Sequence, residues 1–328
     1  MERFKSIILY HLRTSIVFIL CFFFTSYSYS QIQEEILTDS TSVRCLKGTL
    51  TISQGKGKKL PLVIFISGSG PTDRDGNSPN FRSDYLKILS QNLADNGIAS
   101  FRYDKRWSGK STVTDFNESH LVFEDFSRDA EAWIYRLKAD PRFSKIVVLG
   151  HSEGSLLGML AVQAAKADGF ISVAGAGRPI DVILKEQLSA NPNNPKELIT
   201  DANVILDSLK AGHLVKKINS FLVSLFRPSV QPYLISWMKY DPGNEIKKIN
   251  VPCLIAQGTT DIQVSIKDAE QLKLARPDAN YVLIEGMNHI LRDAPAERSA
   301  NIAVYSQYEK PLSSSLIQAL TSFIYTVK

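Results

Sequence analysis

The run Lys145-Ile-Val-Val-Leu149 passes directly into Gly150-His151-Ser152-Glu153-Gly154, and a stretch of helical periodicity follows over 155–167. The apolar, β-branched run predicts a buried strand, and the five residues after it a sharp strand-to-helix turn. A serine at the apex of such a turn has its hydroxyl exposed at the end of a strand. Side chains at either glycine would collide with the adjoining strand or helix, and the apex itself must hold strained backbone angles. Ser152 is therefore the candidate nucleophile. The competing reading is a helix-capping serine between two flexible glycines.

Outward from this turn, short apolar runs at 60–66, 98–101, 170–173, 251–256 and 281–284 alternate with helical stretches at 81–96, 123–139 and 267–275, and a closing helix is expected over 311–327. Alternation of this kind predicts an α/β fold with a mostly parallel sheet and helices on both faces. Residues 44–53 and the turn at 54–58 suggest an antiparallel hairpin at the sheet's edge. After Gly177 about 70 residues pass before the next strand, and a structureless loop of that length is improbable in a compact domain. An inserted helical cap over 178–247 is expected, between core segments at 31–177 and 248–328. Its Phe221, Phe226, Tyr233, Trp237 and Met238 either line a pocket or pack the cap on its own core.

A serine hydroxyl needs a base near neutral pH, and histidine suits the task. Beyond residue 30 the chain offers His120, His151, His213 and His289. His151 adjoins the serine and points elsewhere; His120 lies in a polar loop and His213 within the expected cap. His289 follows the last strand, on the edge of the sheet where ligands bind in parallel folds, and is the candidate base. Its orienting carboxylate is expected to be Asp261, just past the preceding strand, with Asp181 as runner-up and Asp293 on the wrong side of the histidine. A surface aspartate capping a helix is the bland reading of Asp261.

With these residues in place the chain resembles the α/β-hydrolase superfamily, and more narrowly carboxylesterase-like members that carry a Gly-Ser-Gly-Pro-x-Asp-Arg-Asp segment. The matching segments are Ser67-Gly-Ser-Gly-Pro-Thr-Asp-Arg-Asp-Gly76, Phe101-Arg-Tyr-Asp-Lys-Arg106, Gly109-Lys-Ser111, the serine turn, Tyr240-Asp-Pro242, Gly258-Thr-Thr-Asp261 and Gly286-Met-Asn-His289, in that order. The resemblance implies the α/β-hydrolase fold and an oxyanion hole made by the backbone amides of Ser69 and Glu153. It also implies an ester hydrolase working through Ser152, His289 and Asp261 without a cofactor or metal. Ser67 stands where many relatives have histidine, which leaves the exact loop donor open. The same triad cleaves amides, so an aminopeptidase is the alternative, with Glu186, Glu197 or Asp201 available to hold a substrate amine. A binding protein on an inactive scaffold is a third reading, and an acyl transferase a fourth.

Composition limits the partners. Of 328 residues, 44% are apolar, and Lys+Arg 38 against Asp+Glu 33 gives +5. The first 30 residues hold Arg3, Lys5 and Arg13 against Glu2, so the remainder carries +3, too little for a nucleic-acid footprint. Those 30 residues have a basic start, an apolar run over 16–24 and small residues at Ser28-Tyr29-Ser30. They read as a signal peptide, with an uncleaved anchor as the alternative. A small ester or short peptide is the expected substrate, and the export signal the only tie to a membrane. Cys45 and Cys253 read as two buried thiols rather than a bridge. Gly109-Lys110-Ser111 lacks the glycine and strand of a phosphate loop, and Asp73, Asp75 and Asn77 lack the later ligands of a calcium loop. The Arg102 to Arg106 cluster reads as a loop ion-pair network before a substrate-carboxylate site.

Overall fold

The computed structural model describes residues 32–41, 44–53 and 58–328; the expected signal peptide and most of the turn at 54–58 lie outside the described residues. Among these residues nine strands form one sheet: β1 (Ile32–Ser40), β2 (Arg44–Ser53), β3 (Leu60–Ile66), β4 (Ala99–Tyr103), β5 (Thr112–Val113), β6 (Phe143–His151), β7 (Gly169–Val173), β8 (Cys253–Gly258) and β9 (Asn280–Ile284). Their order is β1-β2-β4-β3-β6-β7-β8-β9, with β5 beside β2. Pairing is parallel from β4 through β9 and antiparallel where β2 meets β1, β4 and β5.

Among the described residues eleven helices accompany them: α1 (Tyr85–Asp95), α2 (Phe123–Lys138), α3 (Glu153–Ala165), α4 (Ile180–Ala190), α5 (Lys196–Lys210), α6 (Val223–Phe226), α7 (Gln231–Trp237), α8 (Pro242–Lys247), α9 (Ile266–Ala275), α10 (Arg298–Val304) and α11 (Ser314–Thr326). The apolar run of β3 shows why the central strands are continuous rather than alternating. Leu62, Ile64 and Ile66 pack in the core under α2 and α3, while Val63 and Phe65 pack in a second core under α1 and α11. Successive strand side chains point to opposite faces, so a strand covered on both faces is apolar at every position. Between β7 and β8 the described chain forms only helices and 3₁₀ turns, α4 through α8.

The hairpin expectation needs correction. β2 pairs with β1, which precedes it, and the strand that follows the 54–58 turn does not lie beside β2, because β4 stands between β2 and β3. β1 reads Ile-Gln-Glu-Glu-Ile-Leu-Thr-Asp-Ser and is mostly half-buried or exposed. An edge strand with one solvated side lacks the apolar run that revealed the buried strands. Cys45 on β2 and Cys253 on β8 are both free. With four strands between them, at roughly 4.8 Å per strand, they lie well beyond the reach of a disulfide. Among the described residues no helix is long and apolar enough to cross a membrane.

Candidate active site

β6 lies near the centre of the sheet, and Ser152 follows its last residue with φ 56° and ψ −122°, a conformation that side-chain-bearing residues seldom adopt. Two glycines make this turn possible. A Cβ on Gly150 would lie 2.1 Å from the Gly154 carbonyl oxygen, and one on Gly154 would lie 2.1 Å from the Ile66 carbonyl oxygen at the end of β3. Helix α3 therefore starts closer to the sheet than any other residue at these positions would allow. Glu153 is its first residue, so its amide is one of the donors left unpaired at a helix start.

Asp261 and His289 meet across the ends of β8 and β9. His289 Nδ1 lies 2.8 Å from Asp261 Oδ2, with both side chains buried. The Asp261 carboxylate accepts the amides of Gln263 and Val264 through Oδ1, and Gln257 Nε2 through Oδ2 at 3.2 Å. Burial pushes the Asp261 carboxyl up, but the neighbouring His289, their hydrogen bond and the two backbone amides outweigh it and hold the group below its ordinary range. An ionised Asp261 fixes the proton on His289 Nδ1 and leaves Nε2 as an acceptor. Thr260 Oγ1 donates to the Gly286 carbonyl and Thr259 Oγ1 accepts the Gly286 amide, tying the two loops together.

The runner-up residues sit elsewhere. Asp181 is on α4 and pairs with Lys210, and Asp293, His120 and His213 are exposed. His151 is buried; its Nδ1 is 3.0 Å from Tyr85 Oη and its Nε2 2.8 Å from the His289 carbonyl oxygen. Burial, then the nearby His289, depress its pKa to about 3, so it stays neutral. The Arg102 to Arg106 cluster forms ion pairs. Arg102 binds Glu34 and Asp75, Arg106 binds Asp125 and Asp129, and Asp104 grips Arg74. Asp73 accepts the amides of Asp75 and Asn77, and Ser111 caps backbone groups of Lys47 and Asp104.

A cavity of about 620 Å³ opens beside Ser152. Ser69 and Glu153 line it, with Leu156, Ile183, Tyr233 and Trp237 among its apolar walls. Of the aromatic residues expected to line a pocket or pack the inserted region, Tyr233 and Trp237 reach the cavity, Phe226 and Met238 are buried in the core, and Phe221 is exposed. Trp107, tilted against Phe116 with ring centroids 4.0 Å apart, adds a wall that no sequence pattern announced. Sequence reasoning also missed Gln257, Asn301 and Arg292. Arg292 is fully buried and donates to the carbonyls of Ser83, Tyr308 and Lys310, anchoring the loop that carries His289. A polar residue in a loop gives no sign in the sequence that it will be buried.

This sheet order and the helices that cover it have counterparts among solved structures. The fold is that of the α/β hydrolases. Est1E from Butyrivibrio proteoclasticus with bound ferulic acid superposes on 83% of this chain and 97% of its own, with a TM-score of 0.57 at 17% identity. A thermophilic esterase from Thermogutta terrifontis superposes on 90% of this chain and 99% of its own, with a TM-score of 0.52 at 16% identity. In sequence, the family described as serine aminopeptidase, S33 (Hydrolase_4) matches residues 82–217. Esterase EstD of Thermotoga maritima is 28% identical over 265 residues, covering 76% of this chain. The chain matches 59% of that esterase's own length.

Proposed function

We propose that this protein hydrolyses carboxylic esters, with Ser152 as nucleophile, His289 as general base and Asp261 as its orienting carboxylate. The observation that carries the reading is the buried Asp261–His289 pair, held 2.8 Å apart at the strand ends that also present the strained Ser152. Ser152 Oγ attacks the ester carbonyl carbon while His289 Nε2 takes its proton. The Ser69 and Glu153 amides receive the oxyanion. Collapse of the tetrahedral species expels the alcohol, which takes the proton from His289, and water then releases the acid from the acyl enzyme by the same route.

The cavity favours an uncharged ester over a peptide with a free amine. Two carboxylates line it, and both are engaged: Glu118 with Arg227 and Ser229, Glu153 with Lys105. Glu186 pairs with Arg178, while Glu197 and Asp201 lie on α5, away from the cavity lining. An aminopeptidase needs a carboxylate free to bind an ammonium, and the mostly apolar walls suit a bulky hydrocarbon acyl or alkyl group instead. EstD carries the name esterase, which agrees with this preference. Residues 1–30 are proposed to export the enzyme.

Purified protein should turn over p-nitrophenyl esters and label with a fluorophosphonate, and Ser152→Ala should lose both. Faster turnover of aminoacyl anilides than of esters would overturn the preference, and hydrolysis retained by Ser152→Ala would overturn the site.

A further inference from the structure

The residues on either side of the nucleophile converge on one residue of the facing loop. On one flank, Lys105 Nζ lies 2.6 Å from Glu153 Oε1 and also donates to the Gly68 carbonyl at 2.6 Å; both charged side chains are more than nine-tenths buried. On the other flank, His151 Nδ1 meets Tyr85 Oη at 3.0 Å and packs against Gly68, where a Cβ would lie 3.3 Å from that nitrogen. A carbonyl only accepts, so His151 Nε2, at 2.8 Å from the His289 oxygen, carries the imidazole proton. Nδ1 then accepts from the Tyr85 hydroxyl, which fixes the ring against the loop. Gly68 is held at its carbonyl by Lys105 and packed on its other side by His151.

That grip has a directional consequence. All peptide bonds of the described residues are trans, and in a planar trans peptide the C=O and N–H point in opposite directions. Fastening the Gly68 oxygen to Lys105 therefore sets where the Ser69 N–H points. The buried ammonium also polarises this peptide and strengthens the amide as a donor. Neither the Ser69 nor the Glu153 amide donates to a protein acceptor among the described residues, and both residues line the cavity at Ser152. A Cβ on Gly68 would lie 3.2 Å from Ser152 Cβ, so the loop and the nucleophile are in direct register.

We propose that Lys105, held by Glu153, and His151, held by Tyr85, are positioning residues that brace Gly68 against the nucleophile turn, so that the Ser69 and Glu153 amides converge on one developing oxyanion. The two variable positions of the Gly-x-Ser-x-Gly turn, His151 and Glu153, thus each support the opposite wall of the oxyanion hole. The brace rests on the ester-hydrolase reading, and it assigns its energetic effect to the transition state rather than to substrate binding.

The test uses the double variant Lys105→Met/Glu153→Gln and, separately, Tyr85→Phe. Neutralising both members of a buried ion pair is commonly near-neutral for stability, whereas removing one leaves a buried charge unpaired. Steady-state constants on a p-nitrophenyl ester are measured beside the inhibition constant of a trifluoromethyl ketone, whose enzyme adduct places an oxyanion in the hole. The double variant is expected to lose about 10- to 100-fold in kcat, with KM within about threefold, and to bind the ketone more weakly by a similar factor. Tyr85→Phe should show the same pattern in smaller measure. Wild-type kcat and ketone affinity in both folded variants would overturn the brace, as would a loss confined to KM and thermal stability. If the double variant fails to fold, Tyr85→Phe decides on the same readouts. Ser152→Ala is the separate control: if it still hydrolyses the ester, the reading of the site fails rather than the brace.

Discussion

The nucleophile turn and the base loop hold their residues in place by different means. The turn between β6 and α3 is fixed by backbone against backbone: Gly150 approaches the Gly154 carbonyl and Gly154 approaches the end of β3, with no room for a side chain. The loop after β9 is fixed by side chains reaching from far along the chain. Arg292 binds carbonyls at Ser83, Tyr308 and Lys310, and Asn301 Nδ2 binds those of Thr260 and Pro295. The first region is specified by five contiguous residues, the second by contacts that exist only once the domain has closed. Geometry that must be strained is built locally, while geometry that must be adjustable in height and angle is built from long polar side chains.

The comparison breaks most visibly at Asp261. Asp261→Asn keeps the shape of the acid but withdraws the charge that sets the His289 tautomer, and kcat should fall about 10⁴-fold with little change in Tm. A loss under tenfold would remove Asp261 from the triad. At the nucleophile turn, Gly154→Ala forces the helix start away from the Ile66 carbonyl and should cost about 3 kcal/mol or more in urea unfolding, along with most activity. Wild-type stability there would show that the close approach is not needed. In the base loop, Arg292→Met leaves three carbonyls without their donor and should cost about 2 to 3 kcal/mol, with a smaller effect on the nucleophile turn, read out as retained amide hydrogen-exchange protection at the junction of β6 and α3. Equal damage to both regions would dissolve the distinction between them.

The smallest effect concerns pH. An unfolded histidine protonates near 6.5, whereas the folded chain keeps His151 neutral down to about 3. The unfolded state binds more protons throughout that window, so stability declines as pH falls from about 6.5 toward 3. Between pH 7 and pH 5 the wild type should lose about 2 kcal/mol more than His151→Gln, whose amide can donate to the His289 carbonyl and accept from Tyr85 without titrating. Parallel urea denaturation series at the two pH values check this, and identical pH slopes would show that His151 is not the sensing group.

Much of the architecture was legible from particular residues. The run Leu60-Pro-Leu-Val-Ile-Phe-Ile66 could only be a strand covered on both faces, and the observed β3 spans the same residues. The helices at 123–139 and 155–167 were found within two residues at either end. β1 escaped because an edge strand carries no apolar run, and α10 because seven residues are too few to show helical periodicity. From the sequence His151 reads as structural or pocket-lining, and its partners stay hidden there because Tyr85 and the His289 carbonyl lie 66 and 138 residues away. The Arg102 to Arg106 cluster reads as a loop ion-pair network and forms one, but no sequence pattern shows that Lys105 within it turns inward to Gly68 and Glu153.

The sequence by itself determined the parallel sheet, the strained serine and the candidates for base and acid. Hydrophobic periodicity and the exclusion of side chains by a tight turn act over a few residues and can be read in one dimension. Only the tertiary structure decided which carboxylate faces His289, which cavity walls face Ser152 and which loop carbonyl Lys105 grips. Those choices depend on hydrogen-bond distances between groups tens to hundreds of residues apart, and directional bonds of about 3 Å acquire partners only when the strand ends are brought side by side.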